Sequence, residues 1–136
     1  MNDRIRKKEV SEFGIIIFDL NDLKLVNDSK GHERGDEYIK EACSLICKSF
    51  KHSPIFRVGG DEFLALLEGE DYQKRNELLN VFEKSVLQNL QDEKSVVAFG
   101  SSVYDAKTDD NVRKVFERAD EQMYLKKKEL KSIQHS

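Results

Sequence analysis

Residues 57–63 read Arg-Val-Gly-Gly-Asp-Glu-Phe, two glycines and two acids where one extended apolar run, Pro54 to Val58, turns into another, Phe63 to Leu67. A permissive backbone and paired carboxylates at a hairpin tip suit the holding of a divalent ion beside a phosphate. A Gly-Gly pair between strands is equally an ordinary hairpin turn, with its acids simply solvated. What separates the two readings is a second acidic strand end upstream. Gly14-Ile15-Ile16-Ile17-Phe18 is an unbroken apolar run that stops at Asp19, as expected of a strand covered on both faces. The residues after it, Asn21 to Val26, are helix-compatible, so the amides of Leu20 to Leu23 are expected to open a helix behind Asp19. Unbonded N–H groups and the positive end of a helix dipole receive phosphate, and a carboxylate beside them can hold Mg²⁺. A simpler role for Asp19 or Asn21 is to cap that helix.

The elements that must position these acids alternate along the chain. Tyr38, Ile39, Ala42, Leu45, Ile46 and Phe50 recur with helical period, as do Leu78, Phe82, Val86 and Leu90. Val96 to Val103 read as a further strand, and Val112, Val115, Phe116, Ala119, Met123 and Leu130 mark a last helix with Asp109 or Asp110 as its N-cap. The predicted order is strand, short helix, helix, β-hairpin, helix, strand, helix. Two strands that come as a hairpin point to a largely antiparallel or mixed sheet with helices packed on it, an α+β design and not a doubly wound parallel one. The only proline, Pro54, opens a strand, where its missing N–H is tolerated.

At 136 residues the chain suits a single domain over 1–136, with a flexible lead-in expected over residues 1–12 and a flexible tail over 131–136. Charged residues make up 36% of it, yet the net charge is only −3, which argues against a nucleic-acid-wrapping role and confines any phosphate binding to a local site. No apolar stretch approaches the length of a membrane span and no signal-peptide pattern is present, so direct membrane insertion is not expected. Cys43 and Cys47 fall one helical turn apart without further Cys or His partners, a poor zinc site and a poor disulfide. They are expected at the edge of a buried helix face, as free thiols suited to a reducing cytosol.

Taken in order, Phe18-Asp19-Leu20-Asn21-Asp22-Leu23-Lys24-Leu25-Val26-Asn27-Asp28, Gly31-His32, Gly35-Asp36, Arg57-Val58-Gly59-Gly60-Asp61-Glu62-Phe63, Ala119-Asp120, Met123-Tyr124 and Lys127 strongly resemble the GGDEF family of diguanylate cyclases. The resemblance runs from about Phe13 to Lys131 and implies a palm-like fold, a nucleotide cyclase or ferredoxin-like sheet flanked by helices. It implies condensation of two GTP into cyclic di-GMP and two pyrophosphates, by two domains that each hold one nucleotide. Asp19 and Asp61, with the carbonyl of Leu20, are then the expected ligands of Mg²⁺ or Mn²⁺, since hard oxygens without a Cys or His cluster favour such ions. Asp61 or Glu62 is the expected proton acceptor; the sequence does not separate ligand from base for these neighbours. Gly60 would let the backbone approach the nucleotide closely.

Base selection is carried over from the family to Asn27 and Asp36. A carboxylate accepts from N1–H and the exocyclic amine of guanine, and an amide supplies mixed donor and acceptor groups. His32 is a weaker member of the same set, and Leu23 completes the substrate contacts. Lys127 and Lys131, four apart on one helix face, align with the family's phosphate-binding positions, with Lys24 as an additional contact. A Lys stands at 131 where an Arg is more usual, which keeps the charge but loses the bidentate fork. The run Lys126-Lys127-Lys128 also reads as a solvated helix face.

Several departures from the family pattern carry expectations. The family's leading helix, with its Asp-x-Leu-Thr-Gly-Leu-x-Asn-Arg signature, has no counterpart before the first strand. Where the product-inhibition motif Arg-x-x-Asp would fall stands Phe50-Lys51-His52-Ser53, so feedback through that site is expected to be missing. Asn21 and Leu23 replace a common Asp and Phe. The resemblance also implies a homodimer for catalysis and an upstream sensory or dimerisation domain; the charge balance and the free thiols add the expectations of no nucleic-acid partner and a cytoplasmic location. The alternative function is a catalytically silent GTP-binding module that regulates a neighbour.

Overall fold

The structure, a computed structural model, describes residues 12–134. Four strands, β1 (Gly14–Leu20), β2 (Ile55–Arg57), β3 (Glu62–Leu67) and β4 (Val97–Val103), form one sheet in the order β2-β3-β1-β4, every neighbouring pair antiparallel. The described helices are α1 (Leu23–Lys30), α2 (His32–Ser49), α3 (Gly69–Gln73), α4 (Arg75–Gln91) and α5 (Val112–Gln134). The α+β arrangement expected from the hairpin is present, and the sheet is wholly antiparallel. The described helices include none long and apolar enough to cross a membrane.

β1 runs through the middle of the sheet and every residue in it is buried, which is why its sequence does not alternate. On one face Phe18 meets Phe50, just past α2, and Phe82 of α4, with ring centroids 5.8 and 5.4 Å away. Phe82 meets Phe99 of β4 edge-on at 5.1 Å, so four aromatic rings fill the space beneath α2 and α4. On the other face α5 lies so close to β4 that a Cβ on Gly100 would overlap the backbone at Met123 and Ala119. Gly100 pairs with Ile17, and two residues along the same face Ala98 pairs with Asp19. The close helix approach therefore leads directly to the acidic end of β1.

The expected boundaries shift in a few places. The strand expected over Pro54–Val58 is Ile55–Arg57, and a short helix, α3, precedes α4. Neither Asp109 nor Asp110 caps α5; Asn111 does, its Oδ1 accepting from the amide of Lys114 at 3.2 Å. Asp109 is occupied elsewhere, its two oxygens accepting from Arg118 at 2.6 and 2.8 Å and from the Asp105 amide at 2.8 Å. The tail expected from residue 131 is helical as far as Gln134, because Leu130 is buried and anchors the last turns; residues 135 and 136 lie outside the described residues. The lead-in expected over residues 1–12 also lies outside them except for Glu12, which accepts from Gln73 at 3.3 Å.

Candidate active site

The acidic end of β1 and the hairpin tip meet. In the β1–β3 ladder Asp19 stands opposite Glu62, and the Leu20 amide donates to the Asp61 carbonyl at 2.9 Å. Asp19 is only 9% exposed. Its Oδ1 is buried, with the Lys127 ammonium 3.2 Å away at ion-pair distance and no donor aligned for a hydrogen bond. Burial pushes the Asp19 carboxyl above its ordinary range; Lys127 opposes the rise and Asp61 adds to it. Glu62 is raised as well, by burial first and then by the fields of Asp19, Asp120 and Asp61, again against Lys127. Asp120, part of a motif in the sequence but given no role there, thus belongs to the same field.

Leu20, Leu23, Lys24, Asp61, Lys127 and Lys131 line one cleft of about 400 Å³. A somewhat larger hollow, about 490 Å³, adjoins it at Asp22 and Leu25 and lies between Val26, Tyr38, Leu90 and Ile133. It is lined by none of Asp61, Lys127 and Lys131, which the smaller cleft brings together. Asn27, His32 and Asp36 do not line that cleft; they lie where α1 gives way to α2. Gly31 makes the turn between these helices with φ at +88°, a conformation suited to glycine. A Cβ on Gly35 would overlap the carboxamide of Asn27, so Asn27 lies against the first turns of the helix that carries Asp36.

One expectation about the anion site is corrected. The Leu20 and Asn21 amides do not open a helix, because they donate to the carbonyls of Asp61 and Val96 at 2.9 and 2.8 Å. The helix starts one turn later. Asp22 takes a left-handed conformation at φ 61°, and the first helical bond runs from the Val26 amide to the Asp22 carbonyl at 3.0 Å. The N-terminal amides that α1 presents are those of Leu23, Lys24 and Leu25. Neither Asp19 nor Asn21 is its cap residue.

Two positioning residues escaped the sequence reading. Arg57 donates to the carbonyls of Gly59 and Gly60 at 3.2 and 2.6 Å, fastening the hairpin tip from its own strand. Tyr38, from α2, donates to the Asn21 carbonyl at 2.6 Å and accepts from the Val96 amide at 2.9 Å. Its ring looks like ordinary helix core in sequence; only the fold shows the hydroxyl pinning the corner between β1 and α1. Gly60 is exposed, does not use a left-handed φ, and a Cβ there would meet no protein atom within 4 Å. Nothing within the described chain demands a glycine at that point. In the segment Phe50–Ser53, the His52 amide and Ser53 hydroxyl donate to Asp71 at 3.2 and 2.5 Å. Cys43 is half-buried and Cys47 exposed, both free thiols, with the sulfurs 4.0 Å apart.

The residues fit a hard divalent cation. Asp19 offers a buried oxygen that no hydrogen bond claims, and Asp61 and a strand-end carbonyl at Leu20 add oxygens of the same character. Among the described residues no three Asp, Glu, His or Cys side chains are already gathered as a complete cage. An ion held here would complete its shell from substrate phosphate and water.

Comparison with known proteins identifies the family. Residues 2–132 match the family model described as diguanylate cyclase, GGDEF domain. The chain is 33% identical over 113 residues to the probable diguanylate cyclase DgcJ of Escherichia coli, covering 82% of this chain and 22% of that protein. It is 27% identical over 121 residues to the diguanylate cyclase DosC of Escherichia coli, covering 84% and 26%. The chain thus spans only about a quarter of the curated relatives it matches. Among solved structures, the active GGEEF domain of a diguanylate cyclase from Vibrio cholerae superposes with a TM-score of 0.74 at 24% identity, over 90% of this chain and 81% of that one. The GGDEF domain of DgcB from Caulobacter crescentus, solved in complex with c-di-GMP, gives 0.73 at 20%, over 93% and 78%. These likenesses establish the palm-like fold.

Proposed function

The chain belongs to the GGDEF domain family of diguanylate cyclases, and from that premise we propose that it joins two molecules of GTP into cyclic di-GMP with release of two pyrophosphates. The observation that carries the reading is the register pair Asp19–Glu62 at one sheet end, with Asp61 next to it in sequence and Lys127 3.2 Å from the Asp19 carboxylate. In this reading Asn27 and Asp36 meet the Watson–Crick edge of guanine, the carboxylate accepting from its N1–H and amine. Lys127, Lys131 and Lys24 face the phosphates, with the first amides of α1 as further donors. Gly60 keeps the hairpin tip clear for the nucleotide, which accounts for a glycine that the protein's own packing does not require.

The reaction is attack of a 3′-hydroxyl on an α-phosphorus, forming one P–O bond as the bond to pyrophosphate breaks. Asp61 or Glu62 accepts the hydroxyl proton. The domain holds one nucleotide, so the attacking hydroxyl comes from the nucleotide of a second copy, and two transfers close the ring. Mg²⁺ or Mn²⁺ held by Asp19, Asp61 and the Leu20 carbonyl would lower the hydroxyl pKa and offset charge on the departing pyrophosphate. The reading includes no Arg-x-x-Asp feedback site, because Phe50-Lys51-His52-Ser53 supplies neither residue. It places the chain in the cytoplasm, where GTP is available, with an upstream sensory or dimerisation segment bringing two copies together.

The test is incubation of the protein, fused to a dimerising segment, with GTP and Mg²⁺, and identification of the product by mass. Cyclic di-GMP is expected, and Asp61→Ala is expected to abolish it. GTP binding without turnover would identify a silent regulatory module instead. Full turnover by Asp61→Ala would remove the assigned site.

A further inference from the structure

We propose that Lys127 is a built-in stand-in for the divalent ion: it occupies the Asp19 carboxylate when the site is empty of metal and is released to the phosphates when a metal takes its place. The inference rests on the reading of Asp19 as a metal ligand and goes beyond it, because it makes metal and nucleotide binding depend on one another.

The geometry points to exchange and not to a permanent salt bridge. Lys127 Nζ lies 3.2 Å from Asp19 Oδ1, yet that oxygen has no donor aligned for a hydrogen bond. The contact is mainly one of charge, at most a single poorly aligned bond, and not the paired grip that would hold a cation firmly in place. The groups around it are acids from two elements: Asp61 and Glu62 at the hairpin tip, and Asp120 on α5. Such a field calls for a cation, and in the metal-free protein Lys127 supplies one. Lys127 also lines the cleft shared with Lys24 and Lys131, so a swing away from Asp19 leads its ammonium toward the place proposed for the phosphates. The neighbouring lysines are committed elsewhere. Lys126 bonds Glu83 at 2.6 Å, and Lys128 sits over the Tyr124 ring at 4.6 Å.

A metal ion at Asp19 and Lys127 at Asp19 are therefore competitors. Removing Lys127 is expected to improve binding of a divalent ion to the nucleotide-free protein, the reverse of what loss of a merely supportive residue would do. It is also expected to weaken GTP binding, since the released ammonium is one of the phosphate contacts.

The test titrates Mn²⁺ alone into the nucleotide-free protein at one fixed pH and reads the free ion by electron paramagnetic resonance. Lys127→Met is expected to bind Mn²⁺ about tenfold more tightly than the parent. Lys127→Arg keeps the charge and adds a fork that grips the carboxylate better, so it is expected to bind Mn²⁺ more weakly than the parent. Lys128→Met controls for a change in net charge and is expected to leave Mn²⁺ affinity unchanged. Equal or weaker Mn²⁺ binding by Lys127→Met overturns the exchange, as does tightening of the same size by Lys128→Met. Should Lys127→Met not fold, Lys127→Arg decides: affinity equal to or above the parent overturns it. No measurable Mn²⁺ binding by any of these proteins also overturns it. Because no nucleotide is present, the outcome is independent of whether GTP is cyclised.

Discussion

The carboxamide of Asn27 occupies the space that a side chain at Gly35 would need. Two residues eight apart in sequence, one ending α1 and one opening α2, are thereby fixed to each other, and Asp36 follows at the next position. Gly35 is buried inside a helix, where alanine would ordinarily be favoured by about 1 kcal/mol. Its retention has a packing reason. Gly35→Ala is expected to push Asn27 aside and weaken GTP binding by about tenfold, with the fold intact. Fluorescence titration with a GTP analogue measures this. In the double variant, Asn27→Ala should add little further loss, because both changes remove the same contact. Full additivity would show that Gly35 does not position Asn27.

Gly100 has a harsher constraint. A Cβ there runs into backbone atoms of α5 at Met123 and Ala119, which no rotamer change relieves. Gly100→Ala is expected to destabilise the domain by about 3 kcal/mol or more, read from urea denaturation. The helix that would be displaced carries Lys127, so nucleotide binding should weaken in whatever folded fraction remains.

These two glycines mark the limit of what the sequence discloses. The strands and long helices were legible because burial imposes period: β1 is apolar throughout, and α2 and α4 show their buried faces as helical stripes. The acids at Asp19, Asp61 and Glu62 were legible because each stands at a break in an apolar run. Register was not legible. The sequence allowed Asp19 and the hairpin to be neighbours, but only the β1–β3 ladder sets Asp19 against Glu62. Bonds that use a side chain against a distant backbone were hidden for the same reason. Tyr38 reaches Val96 across 58 residues, and Asp109 passes over capping for Arg118 nine residues on. The anion site was misplaced because Leu20 and Asn21 spend their amides on the sheet side, a matter of pairing partners that adjacent residues do not reveal.

Tyr38 gives the third expectation. Its hydroxyl joins the Asn21 carbonyl and the Val96 amide, both buried, and burial pushes its pKa up to about 12, so it stays a neutral donor over the working range. Tyr38→Phe removes both of these bonds and is expected to cost about 1–2 kcal/mol. Chemical denaturation measures that loss. Because the same corner presents the Leu20 carbonyl and the start of α1, Mn²⁺ affinity should fall as well. A stability loss with unchanged Mn²⁺ binding would assign Tyr38 to packing alone.

Asp19 gives the last, and its sign is counterintuitive. Its carboxyl is raised in the folded protein, by burial first, with Lys127 opposing and Asp61 reinforcing. The folded state therefore holds the proton more tightly than the unfolded chain does. The stability this contributes is present below the ordinary carboxylate range and is lost as pH rises through the raised value. Glu62 is shifted in the same direction, so its contribution is also lost as pH rises. At neutral pH, without metal, Asp19→Asn is thus expected to be more stable than the parent, with a higher Tm and a flatter dependence of Tm on pH across the acidic limb. Adding Mn²⁺ should reverse the order, since the ion stabilises the parent by binding its folded state and gains much less from an amide. Thermal denaturation with and without Mn²⁺ checks both halves. A metal-free Asp19→Asn protein less stable than the parent would mean that the Lys127 contact outweighs the burial of the carboxylate, and that Asp19 serves the fold before it serves the site.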